Sequence, residues 1–443
     1  MATIHPVVDL RLSDLPTDSV RLLAVGDVAL PEGPVYGPYA EGFDRFLHPD
    51  VADLCADKDF SIAGLECTLF SSDTPISKFG PTLHASHKTL DVLRDGRFDA
   101  VTLANNHILD YGANSMFRTR DLCEQSGFRT VGVGRSQDDA GRPMILACGA
   151  LRLAIIAMAE EEFSCATATQ AGAAPLDVIW ATGLIREAKR EADVVIIVAH
   201  CGSMYYPLPS PRTQRWLRTL VDAGASAVIA HHSHIVEGVE VYHGAPILYG
   251  LGNFVFPFPS VKAPPKCWPF GLIARLTISK NGVHRVECFL TKQSESDHAY
   301  ALSPPIESEW NEWQLRMRRL NEIASSTELV SKFWDCFCHA NRWQYFTNLF
   351  GCTGLAPAKL EFVLKDGVRY LAPHYAGLFI TGLLGRFLTS STKKKAGMTA
   401  LVNFLKCPSH HEAILRSAEL VRDDWPLEDA IRTEFSGLTR GSG

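Results

Sequence analysis

Five apolar runs punctuate residues 22–234 of the chain, and each ends on a polar side chain. Leu22–Gly26 leads to Asp27, and Ser61–Leu65 leads to Glu66. Ala100–Ala104 leads to Asn105, Asn106 and His107. Val194–Ala199 ends on His200, and Ala225–Ala230 on His231, His232 and His234. Uninterrupted runs of this length predict strands of a largely parallel sheet, buried on both faces. Helical spacing recurs between them at His87–Asp95, Ser115–Ser126, Asp177–Glu191 and Ser210–Ala223. In the last of these, Trp216, Leu217, Leu220 and Val221 share a face, Pro209 and Pro211 stand at the start, and Gly224 supplies a stop. Further strands are predicted at Arg152–Met158, Gly238–Tyr242, Pro246–Tyr249 and Leu272–Ser279. The last runs through Lys280-Asn281-Gly282, an Asn-Gly hairpin signal, into Val283–Leu290. Strands alternating with helices argue an α/β fold, and the hairpin makes its sheet mixed.

The pattern changes after residue 293. Residues 294–308 are polar and Pro-containing and read as a linker. Residues 309–443 then read as a helical C-terminal region, with helices at Glu309–Ile323, Glu328–Cys338, Ala376–Leu388, Ala396–Lys406 and Glu412–Val421. This gives four segments: an N-terminal arm at 1–20, an α/β domain at 21–293, the linker, and the helical region. A chain of 443 residues has room for that α/β domain and its appendage.

Composition narrows the function classes. A net charge of −6 leaves no basic footprint for nucleic acid. The most membrane-like stretch, Tyr375–Leu388, is interrupted by Arg386 and is shorter than the roughly 20 residues a spanning helix needs. It reads as a packed helix, so no transmembrane segment is expected. Residues 1–20 carry acidic side chains and no apolar core of a signal peptide. The twelve cysteines are scattered without a CxxC pair, which fits reduced thiols and a cytoplasmic location.

In open α/β sheets, ligands bind outside the carboxyl ends of the strands, so the five polar run-ends point to one shared site. Singly, several have plain structural readings. Asp27 can cap a turn, Glu66 can be a surface carboxylate, and His200 can be a satisfied core histidine. Asn105 can be an N-cap. His231-His232-Ser233-His234 is the strongest local signal, because three histidines in four residues past a buried strand have little structural reason to be there. In an extended segment His232 and His234 face the same side and His231 the other. Taken together, Asp27, Glu66, Asn106, His200, His232 and His234 are candidate ligands for two divalent metal ions. Mixed oxygen and nitrogen ligation fits Mn, Zn or Fe. Two such ions roughly 3.5–4 Å apart can clamp a phosphoryl or carbonyl oxygen. His107 is left over as a proton donor, with Asp110 three residues on to orient its imidazole.

The motifs, in this order, resemble the CapA family of capsule-synthesis and poly-γ-glutamate-biosynthesis proteins, relatives of the calcineurin-like metallophosphoesterases. The resemblance spans about residues 21–258. It rests on Gly26-Asp27, Leu65-Glu66, Ala104–Gly112 (ANNHILDYG), Gly132-Val133-Gly134, His200-Cys201-Gly202, the HHSH run and Tyr249–Phe256 (YGLGNFVF). It implies a metallophosphoesterase-like sandwich of two mixed β-sheets flanked by helices, with a di-metal centre at the strand ends. Asp27, Glu66, Asn106, His200, His232 and His234 match its metal positions, and His107 its paired histidine. Asn105, His231, Tyr205 and Asn253 are the candidates for lining the substrate, with Asn253 equally able to serve only as a brace for its turn. Three departures stand out. Gly64 replaces the asparagine common before Leu-Glu, Cys201 replaces a tryptophan, and Met204 replaces a glutamate.

The resulting expectation is a soluble di-metal hydrolase acting on a small-molecule or polymer substrate. The bond is a phosphoester or a γ-glutamyl or other peptide-like amide, in the setting of capsule or poly-γ-glutamate biosynthesis. The Cys201 and Met204 departures fit a second role, a non-catalytic metal-binding component of a polymer-synthesis system; the soluble character and the added helical region fit a third, a tailoring enzyme of a small-molecule or peptide pathway.

Overall fold

In the computed structural model every residue of three of the runs, Phe60–Leu65, Val194–His200 and Ala227–His231, is buried. Residues 4–33, 36, 43, 45–71, 74–78, 80–258, 265–294, 299–350, 406–422 and 427–440 are described. Their strands, in chain order, are β1 (Val8–Arg11), β2 (Val20–Val28), β3 (Arg45–Leu47), β4 (Phe60–Leu65), β5 (Ala100–Thr102), β6 (Arg129–Val131), β7 (Val133–Gly134), β8 (Met144–Cys148), β9 (Leu151–Ala159), β10 (Gly172–Ala173), β11 (Val194–His200), β12 (Ala227–His231), β13 (Val239–Tyr242), β14 (Ala245–Leu248), β15 (Asn253–Val255), β16 (Phe270–Ser279), β17 (Gly282–Gln293) and β18 (Tyr300–Ser303). Their helices are α1 (Pro49–Ala56), α2 (Thr89–Asp95), α3 (Gly112–Gln125), α4 (Gln137–Ala140), α5 (Val178–Glu191), α6 (Pro211–Asp222), α7 (Glu307–Ala324), α8 (Thr327–Phe350), α9 (Pro408–Arg422) and α10 (Asp429–Arg440).

The strands form two mixed sheets and a separate antiparallel pair, β7 with β10. The first runs β3-β18-β17-β16-β2-β4-β5-β6, with β1 added to β17 and β15 to β2. The second runs β13-β14-β12-β11-β9-β8. Each has a parallel centre, β2-β4-β5-β6 in one and β9-β11-β12-β14 in the other. Antiparallel strands flank both centres. Parallel neighbours need a crossover; α2 and α3 serve the first centre, α5 and α6 the second. The sheets meet where β12 lies on β2 and β14 on β17, which brings the carboxyl ends of both centres together.

The helices start where their caps dictate. Asp177 accepts the backbone N–H groups of Ile179 and Trp180, and Ser210 accepts that of Thr213. Both caps lie outside the helix proper, one residue before the first helical turn. The buried face of α5 (Ala181, Ile185, Ala188) and of α6 (Leu217, Leu220, Val221) packs with Val195, Ile197 and Val228 of the second sheet. Each buried Val, Leu or Ile among them contributes about 1.5–3 kcal/mol.

The hairpin between β16 and β17 differs in register from the Asn-Gly reading. Ser279 pairs with Gly282, so Lys280-Asn281 forms the turn and Gly282 takes the positive φ of +117° as the first strand residue. Within the stretch read as a linker, Tyr300–Ser303 forms β18 and pairs with β17 and β3. The expected helix Ala376–Leu388, and all but the last residue of Ala396–Lys406, lie outside the described residues. The chain divides into two compact units, one of Met1–Ile76, Thr82–Thr327 and Arg440–Gly443, the other of Ser77–Pro81 and Glu328–Thr439. Among the described residues no helix is long and apolar enough to cross a membrane.

One glycine sets the closeness of the strand ends. A Cβ on Gly26 would lie 1.9 Å from the carbonyl oxygen of Gly252, the same oxygen that accepts the Asp27 N–H at 3.2 Å. Backbone cannot step aside as a side chain can. Gly26→Ala is therefore expected to cost about 3 kcal/mol or more, at or above the top of the usual overpacking range. Urea unfolding of the variant beside the parent checks this, and an unchanged midpoint would refute it.

Candidate metal centre

Sheet register delivers the polar run-ends to one place. Asp27 at the end of β2 is level with Gly64 of β4 and Asn253 of β15, and Glu66 follows β4 directly. His200 at the end of β11 pairs with His231 at the end of β12. Asp27, Glu66, Asn106, His107, His200, His231, His232 and His234 are all buried. Gly64 is explained by the same crowding. A Cβ there would sit 2.8 Å from the His231 ring, so an asparagine has no room.

The side chains form three interlocking groups, Asp27–His200–His231, Glu66–His200–His232 and Asp27–Glu66–His234, each offering ligand atoms within 4.8 Å of one another. His200 is the hub. Its Nε2 lies 2.9 Å from His232 Nδ1, 3.1 Å from Asn106 Oδ1 and 3.6 Å from Glu66 Oε1. His234 Nδ1 stands 3.7 Å from Glu66 Oε2 and 3.8 Å from Asp27 Oδ2. Its ring is flanked by Phe256 and Trp268, with centroids 4.9 and 4.8 Å away. All six sequence-proposed ligands are thus brought together.

His231 departs from the expected outward direction. Its Nδ1 lies 2.5 Å from Asp27 Oδ1 and 3.1 Å from His200 Nδ1. The alternation argument fails because the chain is not extended past β12: φ is +116° at His232 and +61° at His234. Tyr205 shares this positive-φ backbone at +61°. Such conformations cost of order 1–3 kcal/mol each and persist only where surrounding contacts hold them. One such contact is the His232 N–H donated to Asp27 Oδ2 at 3.0 Å.

The electrostatics suit metal ligation. Burial, reinforced by the neighbouring imidazoles of His232, His231 and His234, holds His200 well below the ordinary histidine value. Burial likewise pushes His234 down to about 4, against the opposing pull of Asp27. Both rings are therefore neutral near pH 7, with a lone pair free for a ligand. Burial works to raise Asp27, but the imidazoles of His231, His234 and His232 outweigh it and keep the carboxyl below its usual value. Anionic oxygens, an amide oxygen and neutral imidazole nitrogens converging in a buried space make a donor set that fits a pair of borderline divalent ions.

His107 stands beside this set. Its Nδ1 lies 2.7 Å from Asp110 Oδ2, and its Nε2 lies 4.0 Å from Glu66 Oε1. Asp110 also accepts the Leu83 N–H at 2.7 Å, so its carboxylate is held in place.

Other candidates for lining the substrate fall elsewhere. Asn105 donates to the carbonyls of Leu65 and Leu103 and accepts the His107 N–H, so it braces the turn rather than facing a ligand. Asn253 braces His234, with its Oδ1 3.0 Å from Nδ1 and its Nδ2 donating to the His234 carbonyl. Tyr205 is 39 % exposed and its neighbour Met204 43 %, which leaves an apolar rim beside the histidines. Cys201 points the other way, into the core of the second sheet with Ala199 and Ala230.

Two carboxylates next to the centre were missed from sequence. Glu160 Oε2 accepts the Gly202 N–H at 3.1 Å and its Oε1 accepts Arg212 Nη2 at 2.6 Å. Glu162 Oε2 accepts Asn106 Nδ2 at 3.2 Å. The signal was present: the run Leu153–Ala159 also ends on a polar residue, Glu160, as the other five do.

A family model described as bacterial capsule synthesis protein PGA_cap matches residues 21–257, more than half of the chain. The chain belongs to this family. It is 33 % identical over 178 residues to the PGA biosynthesis protein CapA of Bacillus subtilis (strain 168), covering 39 % of this chain and 47 % of that protein. It is 31 % identical over 180 residues to the capsule biosynthesis protein CapA of Bacillus anthracis, covering 39 % and 44 %. The match thus spans about half the length of these relatives. Among solved structures, a 5'-nucleotidase precursor from Thermus thermophilus aligns at 15 % identity with a TM-score of 0.38, covering 68 % of this chain and 58 % of that one.

Proposed function

We propose that this PGA_cap member is a di-metal-dependent hydrolase whose centre is formed by Asp27, Glu66, Asn106, His200, His232 and His234. The observation that carries the reading is the set of three buried acid–histidine groups, two meeting at His200 and the third tied to them through Asp27 and Glu66, next to a His107–Asp110 pair that belongs to none of them. When bound, two divalent ions supply Lewis acidity to a water and to an oxygen of the substrate.

The chain's own residues account for the rest. Asp110, accepting from His107 Nδ1, fixes the imidazole so that Nε2 faces the centre. It also stabilises the imidazolium form from which His107 gives a proton to the departing oxygen or nitrogen. Burial of the surrounding carboxylates and imidazoles keeps bulk water out and strengthens each charge interaction. The relatives are named for PGA and capsule biosynthesis, so a γ-glutamyl amide is one substrate class and a phosphoester the other.

The test is a panel assay on Mn- or Zn-loaded protein, with bis(p-nitrophenyl) phosphate and p-nitrophenyl phosphate set against γ-glutamyl-p-nitroanilide and γ-glutamyl peptides. The expected result is metal-dependent turnover of one class that a chelator abolishes. Loaded protein that turns over neither class would refute the hydrolase reading and favour a metal-binding assembly role.

A further inference from the structure

The segment that follows β9 reaches both halves of the centre. Glu160 donates its N–H to the His200 carbonyl and accepts the Gly202 N–H, gripping the loop after β11 on both sides of Cys201. Ser164 Oγ donates to the Asn106 carbonyl at 2.7 Å, and Glu162, two residues earlier, accepts Asn106 Nδ2 at 3.2 Å. Main chain and side chain of Asn106 are therefore held by one short segment that follows a strand of the other sheet.

We propose that Glu162 is a positioning residue that sets which end of the Asn106 amide faces the metal centre. A primary amide has a donor end and an acceptor end of nearly the same size, and only the oxygen can ligate a cation. A carboxylate accepts and does not donate, so Glu162 takes the Nδ2 end. Oδ1 is then directed to the opposite side, where it lies 3.1 Å from His200 Nε2. Without Glu162 the amide can rotate and present N–H groups to the site, which repel a cation. This inference rests on the metal reading above.

The test is calorimetric titration of Mn(II) and Zn(II) into four proteins: the parent, Glu162→Ala, Glu162→Gln, and Glu162→Ala combined with Asn106→Asp. Glu162→Ala is expected to weaken one of the two binding events by about 10–100-fold, the usual cost of losing a group that orients a ligand. Glu162→Gln, whose amide oxygen still accepts, stays near the parent. Asn106→Asp has no wrong end to present, so it restores tight binding in the Glu162→Ala background. A purely structural loss would not be rescued in this way, and the melting temperatures of the metal-free variants report such a loss independently. Parent-like affinity in Glu162→Ala would overturn the inference. So would a Glu162→Gln variant as weak as Glu162→Ala, since charge rather than orientation would then be at work. A parent protein that binds neither metal would instead overturn the metal reading itself.

Discussion

His107→Ala is expected to lower turnover of whichever substrate class the protein accepts by about 10²–10⁴-fold, the range for loss of a positioned acid, while leaving its metal content unchanged. The separation follows from geometry. His107 lies outside the three ligand groups, with its Nε2 4.0 Å from Glu66 Oε1. The loss should fall in kcat, because a proton given to the leaving group acts in the transition state and not in the bound ground state. Asp110→Asn is expected to share most of that loss, since it removes the charge that stabilises the imidazolium. The double variant should be little worse than either single one. Steady-state kinetics beside metal analysis checks both points, and a His107→Ala protein with full activity would remove this residue from the mechanism.

The second large effect concerns Asp27. Its carboxylate belongs to two of the three ligand groups and also accepts the His232 N–H. Asp27→Asn removes the anion and turns an N–H₂ end toward imidazoles that already crowd it. Metal affinity is expected to fall by more than the roughly 10–100-fold typical of groups that merely orient a ligand. The metal-free variant is also expected to lose about 1–3 kcal/mol, because buried donors around the position lose an acceptor. Titration calorimetry and thermal melts read the two effects separately. Parent-like affinity in Asp27→Asn would place the metals elsewhere.

Much of this centre was legible in the chain because parallel strands buried on both faces leave a clear signature and all end at the same edge. Asp27, Glu66, Asn106, His200, His232 and His234 each follow such a run, and the sheets bring them together. What stayed hidden depends on contacts that no local pattern encodes. His231 turns inward because the backbone at His232 takes a positive φ, and alternation along a strand cannot foresee that. Asn105 is held by carbonyls of Leu65 and Leu103, one of them on a neighbouring run. Short strands such as β3 and β18 have no periodicity of their own and exist through pairing with each other and with β17. Glu160 ends an apolar run like the others and Glu162 follows two residues on, but they act on atoms of Gly202 and Asn106 that are distant in sequence.

If the strand ends hold a pair of divalent ions, metal analysis of the purified protein reads them out. After dialysis against Mn or Zn, two ions per chain and a raised melting temperature are expected. Ligand binding at about a hundred times Kd adds about 2.7 kcal/mol to stability. Less than one ion per chain, with no shift in melting on adding either metal, would contradict a di-metal centre.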